Sequence, residues 1–138
     1  MNARWRKCFL DWAQTEEHWQ QVQKAHACIS DALTRYKKPL VAFSGGKDST
    51  AMLHLVLQHD PKITGVHWDY GDQFMPGRIE KRIMSIARGL GAQNLRVYHQ
   101  RPSGSGQDFW RGWWGFLTAL HEQHGFDSCF VGLRTQES

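Results

Sequence analysis

The chain has 138 residues, 41% of them apolar, with 17 basic and 13 acidic side chains for a formal charge of +4. That length suits one globular domain with a real core and is too short for two. The basic residues are scattered, with no block of about five or more like charges, so charge favours anionic ligands only weakly and does not name a partner. The three cysteines, Cys8, Cys28 and Cys129, are far apart and lack metal spacing, which argues against a disulfide framework or a zinc site and fits a reducing cytoplasm. No stretch approaches membrane-spanning length, and the start of the chain lacks the apolar segment of a signal peptide.

In chain order, residues 4–13 suggest a short helix whose Trp5, Phe9 and Trp12 cover the core or meet a partner, the core being preferred. Residues 15–37 read as one amphipathic helix, because Trp19, Val22, His26, Ile29, Leu33 and Tyr36 recur at three and four. Thr15 is its N-cap, Glu16 and Glu17 fill its first turn, and Pro39 stops it. The pattern then alternates: strand 40–43, helix 50–59, strand 63–68, helix 75–90, strand 95–99, helix 108–124 and strand 128–133. Strands separated by helices of this length predict an α/β fold, a doubly wound parallel sheet in three α/β/α layers. Residues 1–38 form an N-terminal helical extension, and residues 39–138 the α/β domain. Ligands of such sheets bind beyond the carboxyl ends of the strands. The eight histidines stand singly, apart from His121 and His124, and read as solvated. Trp110, Trp113, Trp114 and Phe116 read as core aromatics, with base stacking as the alternative.

The densest signal is Val41-Ala42-Phe43-Ser44-Gly45-Gly46-Lys47-Asp48-Ser49-Thr50, where a strand breaks into two glycines and opens a helix. Glycines let the backbone turn sharply, and a helix start offers unpaired N–H groups and a positive dipole end to an anion. Lys47 adds charge, and Ser44, Ser49 and Thr50 add hydroxyls. A Walker P-loop needs a glycine where Val41 stands, so this is a different phosphate turn. Ser-Gly-Gly-Lys-Asp-Ser resembles the PP-loop of the adenine-nucleotide alpha-hydrolase superfamily, matching over residues 44–49 without a gap. Two further blocks resemble the phosphoadenosine phosphosulfate (PAPS) reductase-like branch. Asp69, Gly71 and Phe74 match its Asp-Thr-Gly-x-x-Phe segment, and residues 132–138 look like its Gly-x-Arg-x-x-Glu-Ser loop.

The resemblance implies a HUP/Rossmann-like nucleotide domain whose ligand is ATP, or PAPS or its unphosphorylated relative APS, with Mg²⁺. By position, Phe43, Ser44, Gly45, Gly46, Lys47, Asp48, Ser49 and Thr50 surround the phosphates, the backbone of His67, Trp68 and Asp69 borders the adenine, and Gly132, Arg134, Glu137 and Ser138 close the cleft. Lys47, Asp48 and Arg134 are the implied catalytic set. Asp48 caps the helix or holds Mg²⁺, and Asp69 shares the ion. Arg101, in the Gly/Ser-rich loop after the third strand, is a further phosphate contact or part of a plain linker.

The leading expectation is an enzyme that cleaves ATP at the α–β bond. Alternatives are a sulfonucleotide reductase relative without its reductive cysteine segment, and a non-catalytic module with a protein partner. Sulfur-transfer relatives that modify tRNA or DNA bring nucleic acid in as a further partner, and Cys129 reads as core. The family continues past Glu-Ser, so the sheet is expected to be incomplete after its fourth strand, leaving an edge for a partner chain or a second copy.

Overall fold

The computed structural model describes residues 2–69, 71, 75–99 and 106–133, with residues 106–111 described in backbone only. Two helices, α1 (Ala3–Ala13) and α2 (Glu16–Arg35), precede an alternation of β1 (Pro39–Ala42), α3 (Lys47–His59), β2 (Thr64–Asp69), α4 (Gly77–Gly89), β3 (Asn94–His99), α5 (Gly106–His124) and β4 (Ser128–Phe130). The four strands form one parallel sheet in the order β3-β2-β1-β4. The chain winds outward from β1 to β3, then returns through α5 to place β4 on the other side of β1. The order therefore reverses between β1 and β4, which is where such sheets open a crevice at their carboxyl ends.

Side chains alternate across the sheet, so consecutive strand residues build different cores. Val41 and Phe43 face a core completed by Ile29 of α2, Leu53, Val56 and Leu57 of α3, and Ile83 and Ala87 of α4. Leu40 and Val66 face the other core, with Leu120 of α5 and Phe126. A fully buried side chain of this size contributes about 1.5–3 kcal/mol, so two-sided burial accounts for the apolar runs of β1 and β2. These are the expected three layers.

The N-cap of α2 is as expected, with Thr15 Oγ1 accepting the His18 N–H. Its stripe meets the sheet only in the second half, through buried Ile29 and half-buried Leu33, while Trp19 and Tyr36 stay exposed. The expectation that α1 covers the core is overturned: it buries no residue, and Trp5, Phe9 and Trp12 are all more than half exposed. Three-and-four spacing marks a face but does not say that another element lies against it.

Two boundaries move by three residues, the others by no more than two. Helix α3 begins at Lys47, three residues before the expected start, because Gly46 already adopts the extended N-cap conformation and its carbonyl accepts the Thr50 N–H at 2.9 Å. Strand β4 ends at Phe130, and Gly132 and Leu133 lie in the following loop. No helix among the described residues is long and apolar enough to cross a membrane.

Candidate functional site

At the switch point, β1 runs into a turn that only glycine can make. Gly45 has a φ of +78°, and a Cβ there would lie 2.5 Å from Ile83 Cγ1 on α4. The next residue, Gly46, is the N-cap of α3 and brings no side chain to cap it. The first-turn amides and the positive end of the helix dipole therefore begin directly at the carboxyl end of β1.

The hydroxyls of this segment hold the turn in shape. Ser49 Oγ, which is buried, donates to the Gly46 carbonyl at 3.1 Å and accepts the Ser44 N–H at 3.3 Å. Ser44 Oγ lies 3.0 Å from Ser49 Oγ and accepts the Gly46 N–H at 3.4 Å. Thr50 Oγ1 donates to the same Gly46 carbonyl at 2.7 Å. Their hydroxyl protons are directed at the loop itself, so these residues contribute rigidity to the turn.

Lys47 and Asp48 stand at the solvent side of the same turn. Lys47 Nζ donates to Asp48 Oδ1 at 2.8 Å, with the two side chains 73% and 36% exposed. An exposed pair of this kind is weakly held, so a phosphate can replace the carboxylate at the ammonium. Asp48 does not cap the helix, as one reading of the sequence had it, because the cap position belongs to Gly46.

The loop after β4 closes against this turn. A Cβ on Gly132 would lie 2.7 Å from the carbonyl carbon and oxygen of Asp48 and 2.9 Å from the Ser49 nitrogen. Glycine is thus required for one loop to approach the other's backbone, and two of the sequence blocks meet. Arg134, Glu137 and Ser138 of the same block lie outside the described residues, as do Arg101 and Phe74.

The end of β2 is organised differently. His67 is fully buried and its Nδ1 lies 2.7 Å from the Phe43 carbonyl, which can only accept; Nδ1 therefore carries the proton and Nε2 is an acceptor. Trp68 points to the opposite face, stacked on Trp113 and Phe116 of α5 at centroid distances of 5.6 and 5.5 Å. Only its backbone remains for a ligand on the α3/α4 face. Trp113 and Phe116 are thereby core aromatics, Trp114 is exposed, and the Trp110 side chain lies outside the described positions.

Asp69 Oδ1 accepts the Gly71 N–H at 2.8 Å and Oδ2 pairs with His99 Nδ1 at 2.7 Å. Burial by itself would raise the Asp69 pKa, but the Gly71 N–H bond and the bond and charge of His99 together hold it below the ordinary carboxylate value. Glu80, in the first turn of α4, joins them: one ligand-capable atom from each of Asp69, Glu80 and His99 lies within 4.8 Å of the others.

Sequence reasoning singled out Asp69 and missed Glu80 and His99. The available signal was that Asp69 and His99 sit at the carboxyl ends of adjacent parallel strands, where the register sets them side by side. The histidines are not uniformly solvated either. His67 is buried, and His26 Nδ1 lies 2.8 Å from His59 Nε2 across α2 and α3. Cys129 is half-buried, and burial pushes its thiol pKa up to about 11 despite a partly offsetting Ala42 backbone bond. It is a protonated packing residue.

Comparison with known proteins gives the family and the fold. The family profile described as the phosphoadenosine phosphosulfate reductase domain matches residues 38–138. Among solved structures, the NMN synthetase from Francisella tularensis superposes with a TM-score of 0.57 at 12% identity, over 86% of this chain and 66% of that one. The chain thus spans slightly under two thirds of that protein's length. The protein Rv1636 from Mycobacterium tuberculosis H37Rv gives a TM-score of 0.45 at 18% identity, over 70% of this chain and 71% of its own. No curated protein matches the chain.

Proposed function

Since the chain belongs to the phosphoadenosine phosphosulfate reductase domain family of PP-loop proteins, we propose that it binds an adenine nucleotide at the β1–α3 turn and cleaves ATP between the α- and β-phosphates. Residues 39–138 are the nucleotide domain in this reading, and residues 1–38 its helical extension. The observation that carries the proposal is the start of α3 with Gly46 as its N-cap, entered through the left-handed Gly45 at the point where the strand order reverses. A helix start so placed favours an anion.

In the reaction, an acceptor nucleophile attacks the α-phosphorus as the bond to the bridging α–β oxygen breaks. The oxygen keeps the electron pair and leaves with pyrophosphate, and the acceptor's proton passes to solvent. No residue of the turn is placed as a general base, so the protein's contribution is charge stabilisation of the leaving group. First-turn amides of α3 and Lys47 supply it, with Arg134 as a guanidinium partner. The exposed Asp48 carboxylate beside the helix start suits a hard cation, so Asp48 would hold Mg²⁺, which when bound neutralises pyrophosphate charge. The backbone of His67 to Asp69 would border the adenine. Asp69 itself is left out of the Mg²⁺ set, because the group that converges on it is the imidazole of His99, a nitrogen donor that Mg²⁺ disfavours.

A second reading keeps the site and changes the ligand to PAPS or APS. The loop that begins the phosphosulfate-type Gly-x-Arg-x-x-Glu-Ser block favours it, since Gly132 is seated on the phosphate turn. A thermal-shift panel of ATP, PAPS, APS and GTP with Mg²⁺ separates the readings. A ligand at about a hundred times its dissociation constant stabilises by ~2.7 kcal/mol. Stabilisation by ATP with release of labelled pyrophosphate supports the first reading, and tighter binding of PAPS or APS supports the second. Equal stabilisation by GTP, or none by any of the four, would sink both.

A further inference from the structure

We propose that Asp69, Glu80 and His99 form a binding site for a divalent first-row transition ion of the Zn²⁺ type, separate from the Mg²⁺ role assigned to Asp48. Three elements meet there: the carboxyl end of β2, the carboxyl end of β3 and the first turn of α4. Asp69 and His99 are register partners on adjacent strands and therefore project to the same face, and α4 packs on that face through Ile83 and Ala87. One oxygen from each carboxylate and one ring nitrogen lie within 4.8 Å of one another. Donors bound to one ion at about 2.0–2.2 Å are roughly 3–4 Å apart, so small side-chain adjustments close the set.

Charge and burial make the arrangement more than a chance meeting of surface groups. The Asp69 side chain is 10% exposed, and Glu80, half-buried, brings a second carboxylate to it. Among the described residues Glu80 has no ion-pair or hydrogen-bond partner for that carboxylate. Two converging carboxylates with a single imidazole carry an excess of negative charge in a partly desolvated place, which a divalent ion neutralises.

An independent observation comes from His67. It leaves the same face of β2 two residues before Asp69, is 1% exposed, and its Nε2 has no partner among the described residues. With Nδ1–H committed to the Phe43 carbonyl, Nε2 is a buried acceptor suited to a water bound in an open position of such an ion.

The donor set selects the metal. One imidazole and two carboxylates suit Zn²⁺, Mn²⁺ or Fe²⁺, whereas Mg²⁺ takes oxygen ligands and resists dehydration. Three protein ligands leave positions for water or substrate. Binding displaces the proton shared by Asp69 and His99, which passes to buffer, so no other co-reactant is involved.

The test uses the whole chain, stripped with a chelator and titrated with Zn²⁺, Mn²⁺ and Mg²⁺ by calorimetry, with Co²⁺ as an absorbing probe. The expected result is a single saturable site with a visible Co²⁺ band and an affinity for Zn²⁺ more than about tenfold above that for Mg²⁺. Glu80→Gln and His99→Ala each weaken Zn²⁺ binding by about tenfold or more, while His26→Ala, which alters the His26–His59 contact between α2 and α3, leaves it unchanged. Both ligand variants change partly exposed side chains, and circular dichroism verifies their folding. Absence of saturable uptake, uptake unaltered in both variants, or a preference for Mg²⁺ overturns the assignment. No nucleotide is present in the titration, so either result leaves the ATP reading as it stood.

Discussion

The ends of β1 and β2 lie side by side on the same sheet edge, yet we propose an anion at one and a cation at the other. At β1, the Ser49 and Thr50 hydroxyls are turned inward on the Gly46 carbonyl, and the Lys47 side chain stands exposed beside the helix start. At β2, the Gly71 amide is turned inward onto Asp69, and carboxylates converge with an imidazole. Adjacent parallel strands thus present opposite charge according to which backbone groups the turn consumes. A nucleotide bridging the two would meet donors at its phosphates and acceptors beyond them.

The sharpest way to break this contrast is through the two left-handed glycines. Gly45 has a φ of +78° with Ile83 2.5 Å from a Cβ, whereas Gly71 has a φ of +84° with no described residue within 4 Å. Gly45→Ala combines left-handed strain with overpacking and should cost about 2–4 kcal/mol, against ~1 kcal/mol for Gly71→Ala, which meets strain alone. Urea unfolding of the two variants measures the gap. Equal costs would mean that α4 yields to the β1 turn, and that the anion site is not pre-organised by packing.

Next in size is the effect of Lys47→Ala on ligand binding. Loss of a charged hydrogen bond to phosphate is worth about 1.5–3 kcal/mol, or roughly tenfold to a hundredfold in nucleotide affinity. The unliganded protein should change by less than ~1 kcal/mol, because the pair with Asp48 is exposed. Glu80→Gln, on the cation side, should leave nucleotide affinity near the wild-type value in metal-free buffer. If the two variants weaken the nucleotide equally, the two strand ends form one site and the division between them fails.

Ser49→Ala is a smaller perturbation of the anion side. It removes a buried hydroxyl that accepts the Ser44 N–H and donates to the Gly46 carbonyl. The carbonyl keeps its bonds from Thr50, so the expected cost is about 1–2 kcal/mol. Thermal unfolding reads it directly. A loss of nucleotide affinity with no loss of stability would instead place the Ser49 hydroxyl on the ligand.

The two ends were also unequally legible. The β1 turn is contiguous: apolar run, paired glycines, lysine and helix stand together in ten residues, and local rules suffice to identify it. The β2 site depends on register, because Asp69 and His99 meet only through strand pairing, and Glu80 joins through the docking of α4. A solitary histidine at the end of a predicted strand carries no local mark of this. His67 was hidden for the same reason, since its burial depends on the two elements packed over it. For α1, the sequence displays an apolar face without a partner to cover it. Periodicity encodes which residues share a face, while the identity of the opposing element is a property of the whole fold.

The finest distinction between the two ends is in their response to acid. Asp69 has a pKa below its ordinary value, because the Gly71 N–H and His99 outweigh the effect of burial. The unfolded chain therefore binds the proton at higher pH than the folded one does. The stability contributed by Asp69 is complete above the unfolded value of about 3.9 and is lost as pH falls through the lower folded value. In urea midpoints measured across that range, the wild type should lose stability more steeply than Asp69→Asn, which cannot ionise and holds the Gly71 N–H through its amide oxygen. The metal-free protein is required, because an ion bound to Asp69 would depress its proton affinity further and deepen the same slope. Parallel acid profiles for the two proteins would mean that the Gly71 and His99 bonds do not favour the carboxylate over its acid. The cation-seeking character of the β2 end would then rest on Glu80 alone.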